Sequence, residues 1–329
     1  MIFCKVSLHF LLYLFLIFIV IITITTILAL VIYKRQSVFN IVVYEAPSAT
    51  KVFDYQNSKL IFWIKPKVRS KINAVLTMAD PFLFVHNDEL YLFYEEKSEL
   101  NEGIIKAFKT SDLLTWEDLG IILSETCHLS FPFVFPVEND IYMMPETFEF
   151  KSLCLYHFTD FPYGCIFKRQ LMVGNHFVDS HIFKQDNIYF LFSNTENCEL
   201  RLFYSTDLTT WTIHPMSPIV VGVKYARSAG SIVHVHDKKY RVAQDTSKLY
   251  GENFHIFEIN KLSTTEYEEH LVHEDLIQKD MSWNREGGHH FNSVLFKGRY
   301  ISAFDGKKRI SYLEKVSYPY FRVFQKLTS

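Results

Sequence analysis

The 329-residue sequence lacks an excess of charge of either sign: 34 Lys and Arg stand against 36 Asp and Glu. That balance excludes the broad basic face a nucleic-acid binder needs. One basic cluster, "KPKVRSK" at 65–71, is short and isolated and reads as a solvated connector. Cysteine is sparse, with Cys4, Cys127, Cys154, Cys165 and Cys198 scattered and never spaced C-x-x-C, which argues against a redox or zinc motif and leaves room for one or two disulfides. No N-x-[ST] acceptor occurs, so the sequence offers no glycan evidence for a lumenal location. There is no G-x-S-x-G and no cysteine beside a histidine motif, which removes the nucleophilic triads. No cofactor motif is present, and the spacing of His128, His289 and the acidic residues specifies no metal site.

What the chain does have is apolar mass. Residues of apolar type make up 49% and aromatics 16%, enough for a sizeable core. From Phe10 to Tyr33 there is no charged residue, and a run of roughly 20 apolar residues crosses a bilayer. A cleaved signal has a shorter apolar region and a small-x-small cleavage site, absent here, so the segment predicts a retained transmembrane anchor. The reading divides the chain into a short tail at 1–9, an anchor at 10–33, a stem at 34–58 and a folded body at 59–329. Lys34 and Arg35 follow the span and only Lys5 precedes it, which taken alone leans towards a cytoplasmic body.

The body repeats itself. "ADPFLFVHNDELYLFYEE" from 79 returns as "SFPFVFPVENDIYMMPET", "VDSHIFKQDNIYFLFSN", "SAGSIVHVHDKKYRVAQD" and "HHFNSVLFKGRYISAFDG". Each copy is a strand, a polar turn and a second strand carrying Tyr91, Tyr142, Tyr189, Tyr240 or Tyr300, about 50 residues apart. Two further strand-like runs follow each hairpin, joined by turns such as "SDLLTW" and "STDLTTW", in which Asp112 and Asp207 suit Asx-type turns and Asp160 is a looser match. Trp116 and Trp211 recur there as structural residues rather than sugar platforms. Four short strands per unit of about 50 residues is the pattern of a β-propeller blade. The fold class is therefore all-β, a five-bladed β-propeller preceded by a single N-terminal transmembrane helix. Stacked blades bury faces that one blade cannot. "KLIFWIKP" at 59–66 is expected to close the ring against the C-terminal "YFRVFQKLTS". A β-sandwich is the competing architecture, but it does not account for five copies.

In a propeller the innermost strands line a central channel, so equivalent positions meet there. Their starts deliver Asp80, the corner at His128, Asp179, the corner at Arg227, and His289 with His290. The far ends of the second strands deliver Glu95, Glu146, Ser193, Gln244 and Phe304. Crowded acids beside His and Arg mark a site better than a core, because an unpaired buried carboxylate is costly. Asp80, Glu146 and Asp179 are the candidate catalytic residues, with His128, Arg227, His289, His290 and Asp245 as candidate substrate-binding residues. Glu95, followed by Lys97, reads as a solvated or paired surface group, and Asp80 before Pro81 also fits a simple turn cap.

"ADPFLF", "YLFYEEK", "HLSFPFVF", "IYMMPE", "VDSHIF" and "ARSAG" followed by "AQD" resemble the N-terminal propeller domain of the plant glucosamine inositolphosphorylceramide transferases, over about residues 72–310. The fold is similar to the propellers of glycoside hydrolase family 43. The first resemblance implies Golgi placement with a lumenal propeller, outweighing the flanking charges, and a neighbouring glycosyltransferase, since an exostosin-like domain to which the transfer is attributed does not follow here. The second implies Asp80 as general base, Asp179 as a tuner of pKa and a glutamate as acid. Hydrolases of that family place the acid in a Glu-Gly-Pro stretch of blade four, where this chain reads "RSAGS" from Arg227; Glu146 would have to substitute. Three functions follow as expectations: a membrane-anchored binder of a glycan or glycolipid headgroup, a glycosidase, or a non-catalytic scaffold.

Overall fold

The computed structural model describes residues 8–33, 36–69, 74–98, 101–195 and 198–310. α1 runs from Leu8 to Tyr33. Its side chains are described from 12 to 28, where every large apolar residue is exposed. Among the described residues no helix is long and apolar enough to cross a membrane.

The body is five separate antiparallel sheets, which rules out the two-sheet sandwich. In chain order, β1 (Gln36–Glu45) and β2 (Lys59–Ile64) precede blade one, formed by β3 (Lys67–Arg69), β4 (Ala74–His86), β5 (Glu89–Ser98), β6 (Asn101–Thr110) and β7 (Glu117–Leu123). Blade two is β8 (Ser130–Val137), β9 (Asp140–Glu146), β10 (Ser152–Asp160) and β11 (Tyr163–Val173). Blade three is β12 (Val178–Gln185), β13 (Ile188–Asn194), β14 (Glu199–Ser205), β15 (Thr212–Ile213) and β16 (Val220–Val221). Blade four is β17 (Val233–Val235), β18 (Lys238–Asp245), β19 (Asn253–Leu262) and β20 (Tyr267–His273). β21 (Phe291–Phe296) and β22 (Arg299–Ile310) complete blade five with β1 and β2, in the order β2-β1-β22-β21.

Closure differs from the expectation. The run "VFNIVVYE", within the stretch read as a stem, forms β1, which pairs with β22 from Gln36↔Ile310 to Glu45↔Ile301. Val38, Ile41, Val42 and Val43 are buried, as a continuous apolar strand flanked on both edges should be. Lys59–Ile64 pairs with β1 instead of the C terminus; "YFRVFQKLTS" lies outside the described residues. The four described cysteines, Cys127, Cys154, Cys165 and Cys198, are all free.

The repeated hairpins have a common cause. Asp88, Glu138, Asp186, His236 and Lys297 take left-handed conformations at the turns between first and second strands, the geometry that short hairpin loops require. The repeated tyrosines sit just after those turns, with Tyr91 against Phe84 and Tyr142 against Phe135. Asp112 and Asp207 accept from the amides two and three residues on, each at 2.8 Å, as their motifs predict. Trp116 stacks on Phe62, and Trp211 packs against a core cluster that joins blades one, two and three.

Candidate functional site

The inner strands of blades one, two and three open with the same irregularity. Asp80, Phe131 and Asp179 have φ of 52°, 48° and 47°, and the register shifts after Ala79, Ser130 and Val178. These are β-bulges with a left-handed first residue, a conformation Asp tolerates better than most side chains. They bend each strand at one rim of the ring, where a cavity of about 370 Å³ opens between the blades.

A circle of five hydrogen bonds binds neighbouring blades around this cavity. The amide of Phe131 donates to Asp80 Oδ2 at 3.0 Å, that of Asp179 to Glu146 Oε2 at 3.0 Å, and that of Ser228 to Asn194 Oδ1 at 2.8 Å. The Phe291 amide donates to the Ala229 carbonyl at 2.8 Å, and the Asp80 amide to Asp305 Oδ2 at 3.3 Å. Asp80 and Glu146 therefore each have a structural duty on one oxygen, and Asp305 on both.

The cavity wall contains Asp80, Glu146, Asp179, His128, Arg227 and His289, so six of the eight residues singled out from the sequence converge. Arg227 Nε lies 2.6 Å from Asp179 Oδ2, and its guanidinium sits 5.1 Å over the ring of Tyr250. His289 Nδ1 is 2.5 Å from Asp305 Oδ2, and its ring stacks on Phe39 at 4.3 Å. His128 Nδ1 accepts from the Gly103 amide at 2.9 Å, leaving Nε2 3.4 Å from Glu95 Oε1. Gly103 is required for this contact, since a Cβ there would meet His128 Nδ1 at 2.6 Å and the Leu129 carbonyl at 2.4 Å.

Two residues fall elsewhere. His290 is buried behind the wall, its Nδ1 3.5 Å from Asp80 Oδ1, so it touches the site through that carboxylate. Asp245 leaves the cavity at the end of β18, where it accepts from the Ser247 amide at 2.8 Å and faces His255 at 3.6 Å. Glu95, in contrast, is no surface group: it is 8% exposed and lines the cavity. Its place opposite Ala79 matches that of Glu146 opposite Ser130, a register signal present in the repeat. Asp305, Phe39 and Tyr250 carried no such signal.

Charge is distributed unevenly. Burial pushes the Glu95 carboxyl well above its ordinary value, helped by the charges of Asp80 and Glu146. Burial does the same to Glu146, with Asp179 adding and Arg227 opposing. For Asp80 burial is outweighed by a hydrogen bond from His290 and the field of His289, and its carboxyl is held well below the usual range. His128 is lowered by burial and by Lys97. His289 resists its burial because Asp305 and Asp80 hold its proton, and ends above the ordinary value. The wall thus sets one carboxyl held low, Asp80, beside two held high, Glu95 and Glu146, the kind of separation that lets one cavity offer both an acid and a base. Asp80, His289 and Asp305 bring ligand atoms within 4.8 Å of one another, but Asp305 Oδ1 already accepts from the amides of His289 and His290 at 2.8 and 3.0 Å. Asp305 is thereby already engaged as an acceptor on the backbone of blade five.

Comparison places this geometry among known proteins. A family model described as glucosamine inositolphosphorylceramide transferase 1, N-terminal, matches residues 67–307. The chain is 38% identical to glucosamine inositolphosphorylceramide transferase 1 of Arabidopsis thaliana over 247 residues, covering 70% of this chain and 32% of the relative. The protein of the same name from Oryza sativa subsp. japonica is 35% identical, with 70% and 33% covered. The chain thus spans about a third of the length of these relatives. Among solved structures, the catalytic domain of a Coprinopsis cinerea α-L-arabinofuranosidase superposes with a TM-score of 0.54 at 11% identity, covering 73% of this chain and 93% of that one. An α-L-arabinofuranosidase from Clostridium thermocellum gives 0.52 at 14% identity, covering 68% and 80%. At such identities the likeness is one of fold.

Proposed function

From the premise that this chain belongs to the family of the glucosamine inositolphosphorylceramide transferase 1 N-terminal region, we propose that it is a membrane-anchored propeller that binds a glycan or glycolipid headgroup. α1 is the anchor, the propeller faces the Golgi lumen, and the protein acts in glycan or glycosphingolipid biosynthesis beside a separate glycosyltransferase. One observation carries the reading: blades one to four and the closing blade all send polar side chains into a single cavity of about 370 Å³, within the range of small-molecule sites, about 300–1,000 Å³. The carboxylates and Arg227 suit the dense hydroxyl donors and acceptors of a sugar. The exposed apolar surface of α1 on every described side supports the anchor.

The test is thermal shift and calorimetry of the full chain in detergent with glucosamine, inositol phosphate and a panel of neutral sugars. A ligand that stabilises the wild type and loses at least tenfold in affinity in Asp179→Asn and Arg227→Gln is expected. No response at millimolar concentrations of any of them would overturn the reading.

A second reading, hydrolysis, is favoured by the opposite directions in which the cavity shifts Asp80 and Glu146, as a general base and a general acid would require. Wild-type turnover of aryl glycosides that disappears in Asp80→Asn would establish it, and an inert wild type would remove it.

A further inference from the structure

β1 begins and β22 ends at one rim of the propeller, and that rim is the one that opens the cavity. β1 starts at Gln36, paired with Ile310 at the end of β22. Three residues on, the Phe39 amide donates to Thr77 Oγ1 at 2.7 Å, and both residues line the cavity. α1 ends at Tyr33. A fully extended chain advances at most about 3.6 Å per residue, so Gln36 lies within roughly 11 Å of the helix end and Phe39 within roughly 22 Å, whatever path the chain takes. The opposite rim is a strand length away. β1 has 10 residues, and at about 3.3 Å each they carry the chain roughly 33 Å from the entry point.

The same rim presents apolar side chains to solvent among its charged ones. Second strands end there and third strands begin there, so the loops flanking Glu146, Asn194 and Asp245 all belong to it. Phe150 and Leu249 lie on those loops, and Val173, Val221 and Val223 lie beside the starts of the third strands, where Val173 pairs with Ser152 and Val221 with Glu199; all five are exposed, Val221 and Leu249 to 66% and 68%. They come from blades two, three and four, so they surround the opening on the sides away from β1. The opposite rim also exposes apolar residues, Leu114 among them, but no chain end joins that rim to α1.

We propose that the rim opening the cavity rests against the bilayer that holds α1, and that the cavity takes the polar headgroup of a lipid in that same leaflet. The proposal rests on the anchor reading above. The short tether holds the blade-five side of the rim at the membrane surface, and the apolar side chains on the other blades lie flat on the interfacial layer, as amphipathic surfaces do. A propeller lying on its side would leave Phe150 and Val221 in water.

The test uses the full chain, with Cys4, Cys165 and Cys198 replaced by serine, reconstituted into phosphatidylcholine liposomes with brominated acyl chains. An environment-sensitive fluorophore is attached at Leu249→Cys, at Val221→Cys, or at Leu114→Cys on the far rim. The first two labels are expected to lose at least half their fluorescence relative to unbrominated liposomes, and the third to lose none. Equal quenching at both rims, or quenching at Leu114→Cys alone, in a chain that stays with the liposomes through a carbonate wash, overturns the orientation and leaves the anchor standing. A chain that washes off removes the anchor and the orientation together, whereas sugar binding in detergent is scored separately.

Discussion

At the scale of single residues, the cavity holds protons against solution chemistry. Glu95 and Glu146 titrate above their ordinary values, so the folded state keeps protons that the unfolded chain releases from about pH 4.3. The stability they lend is complete below that pH and is lost as pH rises through their folded values. Glu146→Gln keeps an oxygen to accept from the Asp179 amide and removes the titration. It is expected to be more stable than wild type at pH 8, by on the order of 1 kcal/mol, and equal to it at pH 4 by denaturant titration. Asp80 has the opposite sign: its contribution is complete above about pH 3.9 and fades as pH falls through its depressed folded value. Gly103→Ala drives a methyl group into His128 and the Leu129 carbonyl. It should cost about 1–3 kcal/mol, the usual range for overpacking, read as a lower melting temperature. Asp80 and Asp179 were legible because the repeat puts an acid at matching strand starts. Glu95 was misread because Lys97 offered a nearby partner in sequence, while the fold turns the carboxylate towards His128.

Among the elements, blade four carries a buried arginine–glutamate ion pair. Arg241, fully buried on β18, has Nε 2.7 Å and Nη2 2.5 Å from the two carboxylate oxygens of Glu269 on β20, and Nη1 donates to the Tyr225 carbonyl at 2.9 Å. Glu269→Ala strands that guanidinium without a counter-charge and should destabilise the protein by about 3–5 kcal/mol, measured by denaturant unfolding. The sequence showed where blade four begins and ends but not this pair, since neither residue repeats in the other blades. Strand and turn positions were readable for the opposite reason: the hairpin tyrosines and the Asx turns recur, and local chemistry alone sets them. The bulges were hidden. Their backbone slip leaves no mark on the alternation of apolar residues beyond an acid or a proline at the bend.

On the scale of the whole molecule, five repeats predicted five blades, and the structure closes them. The closing strand was missed because β1 has neither the tyrosine nor the turn of the other hairpins and directly follows the apolar segment. Its partner lies at the far end of the fold, a pairing that only three-dimensional closure reveals. A chain begun at Lys59 would leave β22 with an open edge and would uncover Ile41, Val42 and Val43 contacts in two core clusters. It is expected to yield insoluble protein or rapid cleavage in limited proteolysis, whereas a chain begun at Gln36 should resist. The circle of amide-to-acceptor bonds around the cavity also gives the ring a built-in gauge. An occupant that bonds to Glu146 or Asp80 tugs through that carboxylate on a peptide group in the adjoining blade, at Asp179 or Phe131. The backbone protons of those two residues stand at the seams like strain sensors in a barrel hoop, able to register a guest through the carboxylate that holds it.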